Sequence, residues 1–138
     1  MDRVEFTVKA VLENESALLD FVDAEFARHG LPTHGEVLVA IEEIFVNIVH
    51  YAYLPKEGDI TLSLTFDLDA GEVVVRLSDS GRAFNPFERE APDLSADLME
   101  REIGGLGIHF VKNLMDKVEY EYINNQNVVT LTKGVSKS

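Results

Sequence analysis

A two-layer α+β sandwich is the fold class that this sequence predicts, and three observations lead to it. Five short runs alternate apolar and polar residues at a period of two, and three longer segments repeat their apolar residues at a helical period. Their order is strand, helix, helix, strand, strand, a long irregular segment, helix, strand, strand. Strands that follow one another in hairpins predict a mostly antiparallel mixed sheet, and three helices suffice to cover one of its faces. The other face, with Glu5, Thr7, Thr61, Ser63 and Thr65, is polar enough to remain in water.

From Arg3 to Ala10 the alternation is strict, with Val4, Phe6, Val8 and Ala10 on one side. Asn14 reads as the N-cap of a helix that buries Leu18, Phe21, Val22 and Phe26 and stops at Gly30. Thr33 to Glu36 fits a capping box for the second helix, which should run to Tyr53-Leu54, before Pro55 and Gly58. Ile60 to Phe66 and Val73 to Leu77 form a hairpin around Asp69-Ala70-Gly71. From Ala83 to Ile103 the patterning fades, except for one short helix around Leu94 to Arg101, and a loop of that length inside a compact domain is usually a functional lid. The third helix buries Ile108, Val111, Leu114 and Met115. Two strands, Val118 to Ile123 and Val128 to Thr132, close the chain around Asn124-Asn125. The expected organisation is one domain over residues 1–134, with a lid at about 83–103 and a frayed tail at 135–138.

Composition narrows the function classes. The formal charge of −13 opposes nucleic acid and anionic lipid as partners, although local backbone N–H groups can still hold a phosphate. There is no cysteine, hence no disulfide and no thiolate metal site. No stretch approaches the roughly 20 apolar residues that span a membrane, and the N-terminus lacks the apolar run of a signal peptide. A cytoplasmic location is the expectation.

Three places carry residues that a plain core would not. Glu43, Asn47 and His50 fall within roughly 60° of one another on a helical wheel, beside the apolar stripe of Val37, Ala40, Ile41, Ile44, Ile48 and Tyr51. An Asn carbonyl is a workable Mg²⁺ ligand together with phosphate oxygens and water, and a carboxylate one turn earlier can take a proton. The bland alternative is a solvated edge with a Glu–Asn contact. Glu42 lies off that edge and reads as solvent or interface. Asp79 is in phase with Val73, Val75 and Leu77, so a carboxylate ends the strand facing the core layer. It can accept a hydrogen bond from an exocyclic amine such as that of adenine, or simply start an Asx-turn. Gly104-Gly105-Leu106-Gly107 leads into a helix, where backbone N–H groups and the helix dipole favour a phosphate. It is neither a Walker loop nor a dinucleotide fingerprint.

Taken together and in this order, Glu43-xxx-Asn47, Asp79-x-Gly81, a lid and Gly105-x-Gly107 resemble the N-box, G1 and G2 motifs of the GHKL ATPase superfamily, the Bergerat fold. The likeness covers essentially the whole chain. EEIFVNIVHYAY, DSGRAFNP and GGLGIHFVKNLMDKVEY look most like the anti-sigma-factor serine/threonine kinases of partner-switching systems. The resemblance implies Glu43 as catalytic base, Asn47 as Mg²⁺ ligand, His50 on the phosphate side, and Asp79 on the adenine amine with Gly81 giving it room. Gly105, Gly107 and the start of the last helix would hold phosphates, and Ala83, Gly104, Leu106, Ile108 and Thr130 would complete the ATP contacts. On charge alone, and not from the resemblance, Arg89 or Arg101 of the lid is a candidate to meet the terminal phosphate. The sequence departs from the family pattern at Ala83, where a second glycine is common, and at Tyr51, where many of these kinases have His.

The implied function is Mg²⁺- and ATP-dependent phosphorylation of a Ser or Thr on an anti-anti-sigma (STAS-type) protein, with a sigma factor as a second partner and a homodimer as a further state. The rival from another class is a nucleotide-gated docking module without phosphotransfer. A histidine-kinase catalytic domain would be expected to follow a dimerisation helix, and a gyrase- or MutL-type ATPase to precede a transducer domain.

Overall fold

Period-two patterning yields five strands: β1 (Asp2–Lys9), β2 (Asp59–Asp67), β3 (Glu72–Asp79), β4 (Lys117–Ile123) and β5 (Gln126–Gly134). The computed structural model describes residues 2–32, 35–53, 58–88 and 107–135. The strands form one sheet in the order β1-β2-β3-β5-β4. Every adjacent pair is antiparallel. The sheet is therefore not mixed. β3 and β4 run in the same direction, as a strand–helix–strand passage requires, but β5 lies between them and no parallel ladder forms.

Helices α1 (Glu15–Arg28), α2 (Gly35–Asn47) and α3 (Gly107–Leu114) belong to the second layer, with α2 packed against both others. α2 has apolar neighbours on more than one side, which explains why Phe45 and Asn47 are buried alongside the predicted stripe. The expected end at Tyr53 is reached differently. α2 stops at Asn47, and Ile48–Tyr53 continues as a π-helical turn. Asn14 occupies the N-cap position of α1 without capping it: its amide donates to the Lys9 carbonyl at 2.8 Å. Thr33 and His34 of the expected capping box lie outside the described residues, and the Glu36 carboxylate meets Lys133 Nζ at 3.2 Å.

The core fills the space between the helices and one face of the sheet. Register lines up its rows: Val4, Leu64, Val75 and Leu131 in one, and Phe6, Leu62, Leu77 and Val129 in the next. Phe26 meets Phe66 edge to face at 5.4 Å, and Phe21 stacks on Phe6 at 4.8 Å. Fully burying a ring, as at Phe26 and Phe66, stabilises the fold by about 1.5–3 kcal/mol, while Phe6 and Phe21 are partly buried and contribute less. On the uncovered face one row reads Glu5, Ser63, Arg76, Thr130 and Glu119 across the five strands. Ser63, expected in water, is buried, because its short side chain sits between the longer Glu5 and Arg76 on the neighbouring strands. Two concavities of about 270 and 180 Å³ open on this face. Val135, expected in the tail, pairs its N–H with the Gly71 carbonyl at 2.8 Å, and residues 136–138 lie outside the described residues.

One contact joins the layers at the edge that matters for function. The Tyr53 hydroxyl donates to the Asp59 carbonyl (2.7 Å) and accepts from the Ser80 N–H (2.8 Å). It links the end of the π-helical turn, the start of β2 and the end of β3. Gly58 is required there, since a Cβ would fall 2.2 Å from the Tyr53 ring. Tyr53→Phe leaves a donor and an acceptor unpaired, and a loss of about 1–3 kcal/mol in chemical denaturation is expected.

Candidate functional site

The site is assembled where the π-helical turn meets the loop after β3. The last carbonyls of a helical segment have no partner within it. Here Tyr51 O accepts from Arg82 Nε (2.7 Å), and Ala52 O accepts from the Arg82 N–H (3.1 Å). The approach is close enough that a Cβ on Gly81 would lie 2.6 Å from Ala52 O and 2.9 Å from its Cβ. Only glycine fits. The Tyr51 ring stacks on Phe84 at 5.2 Å, so the residue that departs from the family pattern packs against the loop. Ala83, the other departure, is exposed on the span between Arg82 and Phe84.

Asp79 is 3% exposed at the end of β3. Its Oδ1 accepts from the Gly81 N–H and from Asn127 Nδ2, both at 2.9 Å, while Oδ2 takes no bond among the described residues. The Asx-turn and the inward carboxylate are thus the same structure: one oxygen shapes the turn and the other is presented. Burial pushes the Asp79 carboxyl above the usual carboxylate range, and the bonds from Asn127 and Gly81 partly oppose that.

On α2, the Asn47 amide is fully buried, and its nitrogen donates to the Glu43 carbonyl at 2.6 Å. The nitrogen is turned back on its own helix, and of the amide's two ends the carbonyl oxygen is the one whose chemistry suits a cation. Glu43 Oε2 is a buried oxygen with no hydrogen-bond partner among the described residues. Burial raises the Glu43 pKa first, followed by the nearby charges of Glu42 and Glu15. Glu42, for which the sequence suggested no task, thus acts on its neighbour electrostatically. His50 Nε2 is also buried without a partner among the described residues. It lies in the π-helical turn, so the regular helical phase that grouped it with Glu43 and Asn47 does not extend to it.

Thr130 does not join the group. Strand alternation puts it on the uncovered face between Arg76 and Glu119, whereas Asp79 and Asn127 face the helices. Gly107 begins α3, and the side chain of Ile108 is not among those described. Gly104, Gly105, Leu106, Arg89, Arg101 and the helix expected over 94–101 lie outside the described residues, as does most of the expected lid. Its first part is held at both ends. Phe84 N–H donates to Asn127 Oδ1 (2.9 Å), and Lys112 of α3 donates to the Phe87 carbonyl (3.1 Å).

Asn127 and Tyr53 were missed in the sequence. The signal for Asn127 was available, since it is in phase with Val129 and Leu131 as Asp79 is with Val75 and Leu77.

The sequence profile of the histidine kinase-like ATPase domain matches residues 8–133. The chain belongs to this family. The five-stranded open sheet with three helices is the GHKL, or Bergerat, architecture. Among curated relatives, the family member is 32% identical to the serine-protein kinase RsbW of Listeria monocytogenes over 107 residues, 74% of this chain and 66% of that one. It is 29% identical to the serine/threonine-protein kinase BtrW of Bordetella bronchiseptica over 91 residues, 66% of this chain and 63% of that one. The chain thus spans slightly less than two thirds of the length of these relatives. A structure of the RsbU and RsbW domains of a Mycobacterium tuberculosis protein matches all of this chain and 34% of its own, with a TM-score of 0.66 at 18% identity. A histidine kinase domain from Erythrobacter litoralis matches 91% of this chain and 61% of its own, with a TM-score of 0.54 at 14% identity. Both likenesses concern the fold.

The donor set fits a nucleotide with a hard cation. Among the described residues no three His, Cys, Asp or Glu side chains come together around a metal. Mg²⁺ would take the Asn47 carbonyl oxygen and fill its remaining positions with phosphate and water oxygens. Asp79 Oδ2 suits an amine, and Glu43 Oε2 and His50 Nε2, buried without a hydrogen-bond partner among the described residues, would suit a polar ligand.

Two outcomes test this geometry in the free protein. Gly81→Ala forces the helix end and the loop apart, with an expected loss of about 1–3 kcal/mol in denaturant unfolding. For Asp79, a folded-state pKa above the unfolded one means that ionisation subtracts stability above the folded pKa. That deficit fades as pH falls toward the unfolded value. Asp79→Asn keeps an oxygen for Gly81 and Asn127 without the charge, so it should melt slightly above wild type at neutral pH, the gap closing in acid.

Proposed function

We propose that this family member is an ATP-binding serine/threonine protein kinase of the partner-switching type. The supporting observation is Glu43, whose carboxyl has a raised pKa and a buried oxygen without a partner among the described residues, and whose backbone carbonyl holds the Asn47 amide one turn along α2. A docking module has no use for a desolvated base at that place. A phosphotransferase does.

In this reading Asp79 Oδ2 accepts the adenine amine, and Gly81 lets the base approach the loop. Asn47 holds Mg²⁺, which supplies charge neutralisation at the phosphates of ATP. His50 faces the phosphate side, and Gly105, Gly107 and the start of α3 hold phosphate oxygens through backbone N–H groups. Glu43 takes the proton from a partner's Ser or Thr hydroxyl as that oxygen attacks the γ-phosphorus in line, and ADP leaves. The partner is a STAS-type anti-anti-sigma protein, with a sigma factor as the second client and a cytoplasmic setting. The similarity to RsbW and BtrW supports this, and the uncovered polar sheet face leaves room for a second copy. No helix among the described residues is long and apolar enough to cross a membrane.

Calorimetry with ADP and ATP, with and without Mg²⁺, tests the nucleotide site. Wild type should bind, and Asp79→Asn should not, because an amide N–H₂ replaces the acceptor. Transfer of labelled γ-phosphate to a STAS partner then separates kinase from docking module. Glu43→Gln should retain ADP binding and lose roughly 10²–10⁴-fold in transfer rate. An unchanged rate would remove Glu43 from the mechanism.

A further inference from the structure

Asn127 is a buried polar residue at the purine end to which phosphotransfer chemistry assigns no task. It is 2% exposed at the start of β5, paired in register with Asp79 on one side and Tyr122 on the other. Its Nδ2 donates to Asp79 Oδ1 at 2.9 Å and to the Arg82 carbonyl at 2.8 Å. Its Oδ1 accepts from the Phe84 N–H at 2.9 Å and from the Tyr120 hydroxyl. A carboxylate and a carbonyl accept only, and a backbone N–H donates only, so the amide has one allowed orientation. Both amide hydrogens and both oxygen lone pairs are then used. Nothing on Asn127 is left for a base.

We propose that Asn127 is the positioning residue of the purine end, holding Asp79 with Oδ2 outward and fastening Arg82–Phe84 to that same carboxylate. The inference rests on the reading of Asp79 as the adenine anchor. Asp79 cannot swing without breaking a bond to Asn127, and neither can the chain at Arg82–Phe84. The loop that leaves the site toward residues 89–106 is therefore referenced, at its root, to the group that contacts the base. Nucleotide at Asp79 and order at Phe84 become linked through one side chain.

Asn127 also supports the anionic form of Asp79, since its N–H favours the carboxylate against burial. Among the described residues, the titratable and charged groups near this carboxyl are Tyr53 at the end of the π-helical turn, Asp59 at the start of β2, Arg82 in the loop, and Tyr120 of β4 through Asn127 itself. Losing the amide removes the donor that β5 supplies and leaves the Gly81 N–H.

Two variants separate the roles. Asn127→Thr keeps one hydroxyl donor for Asp79 but is too short to hold Arg82 and Phe84 as well. Asn127→Ala removes all four bonds. Thermal melts establish that each is folded, and Asn127→Ser replaces the alanine variant should that one fail to fold. By amide hydrogen exchange without nucleotide, Phe84 should exchange at least about tenfold faster in Asn127→Thr than in wild type. ADP should slow Phe84 exchange in wild type and not in this variant. By calorimetry, Asn127→Ala (or Ser) should bind ADP about tenfold more weakly at neutral pH, with the acidic limb of binding displaced toward neutral. Phe84 exchange at the wild-type rate in Asn127→Thr, or wild-type ADP affinity and pH profile in folded Asn127→Ala (or Ser), overturns the proposal while the anchor reading stands. If wild type itself fails to bind ADP, the anchor reading fails. Phe84 exchange and the NMR titration of the Asp79 carboxyl, both recorded without nucleotide, then still decide whether Asn127 holds the two.

Discussion

The rest of the site depends on the junction between the π-helical turn and the loop after β3. Helix ends leave carbonyls that need donors, and strand ends leave a chain that must change direction. In this protein each answers the other: Arg82 supplies donors to Tyr51 and Ala52, and the absence of a side chain at Gly81 lets the two backbones touch. The junction sets α2 against β3 at one edge of the sandwich. Glu43 and Asn47 come from the first element and Asp79 from the second, so the separation between these side chains is a property of this contact.

Widening α2 into a π-helical turn has a local rationale. A regular helix would carry its final carbonyls and side chains onward at a constant phase. The wider turn changes that phase after Asn47, and the chain still reaches Tyr53, whose hydroxyl joins Asp59 to Ser80. Interruptions of this kind concentrate at functional positions, where a particular side-chain direction matters more than helical regularity. The same segment buries His50 Nε2 without a partner among the described residues. That arrangement is costly in the free protein unless a ligand satisfies it.

Burial shapes the carboxylates of Glu43 and Asp79 in different ways. Glu43 is surrounded by like charge from Glu42 and Glu15 in addition to its desolvation, and all three influences favour its protonated form. Asp79 is more deeply buried, yet Asn127 and the Gly81 N–H counter part of that cost. Every influence on Glu43 favours the protonated form, whereas donors partly support Asp79 as an anion. Two acids of similar intrinsic strength thereby acquire different environments from their neighbours.

Much of this was legible in the chain itself. Alternation identified the strands, and because side chains in a strand face opposite ways every second residue, it also placed Asp79 toward the helices. By the same rule Thr130, one residue out of phase with Val129 and Leu131, belongs on the uncovered face of β5. The regular period of α2 located Glu43 and Asn47 beside its apolar stripe, and glycine at position 81 marked a tight approach without saying to what. What sequence alone could not supply was long-range pairing. That β5 inserts between β3 and β4 brings Asn127 beside Asp79, 48 residues away. That α2 widens after Asn47 is decided by partners on other strands, since Tyr53 and Arg82 find their acceptors and donors 6 to 31 residues away. Local periodicity is encoded by neighbours along the chain, while these bonds exist only once the layers have closed, because a buried amide or carbonyl takes whichever partner the packed sheet brings to it.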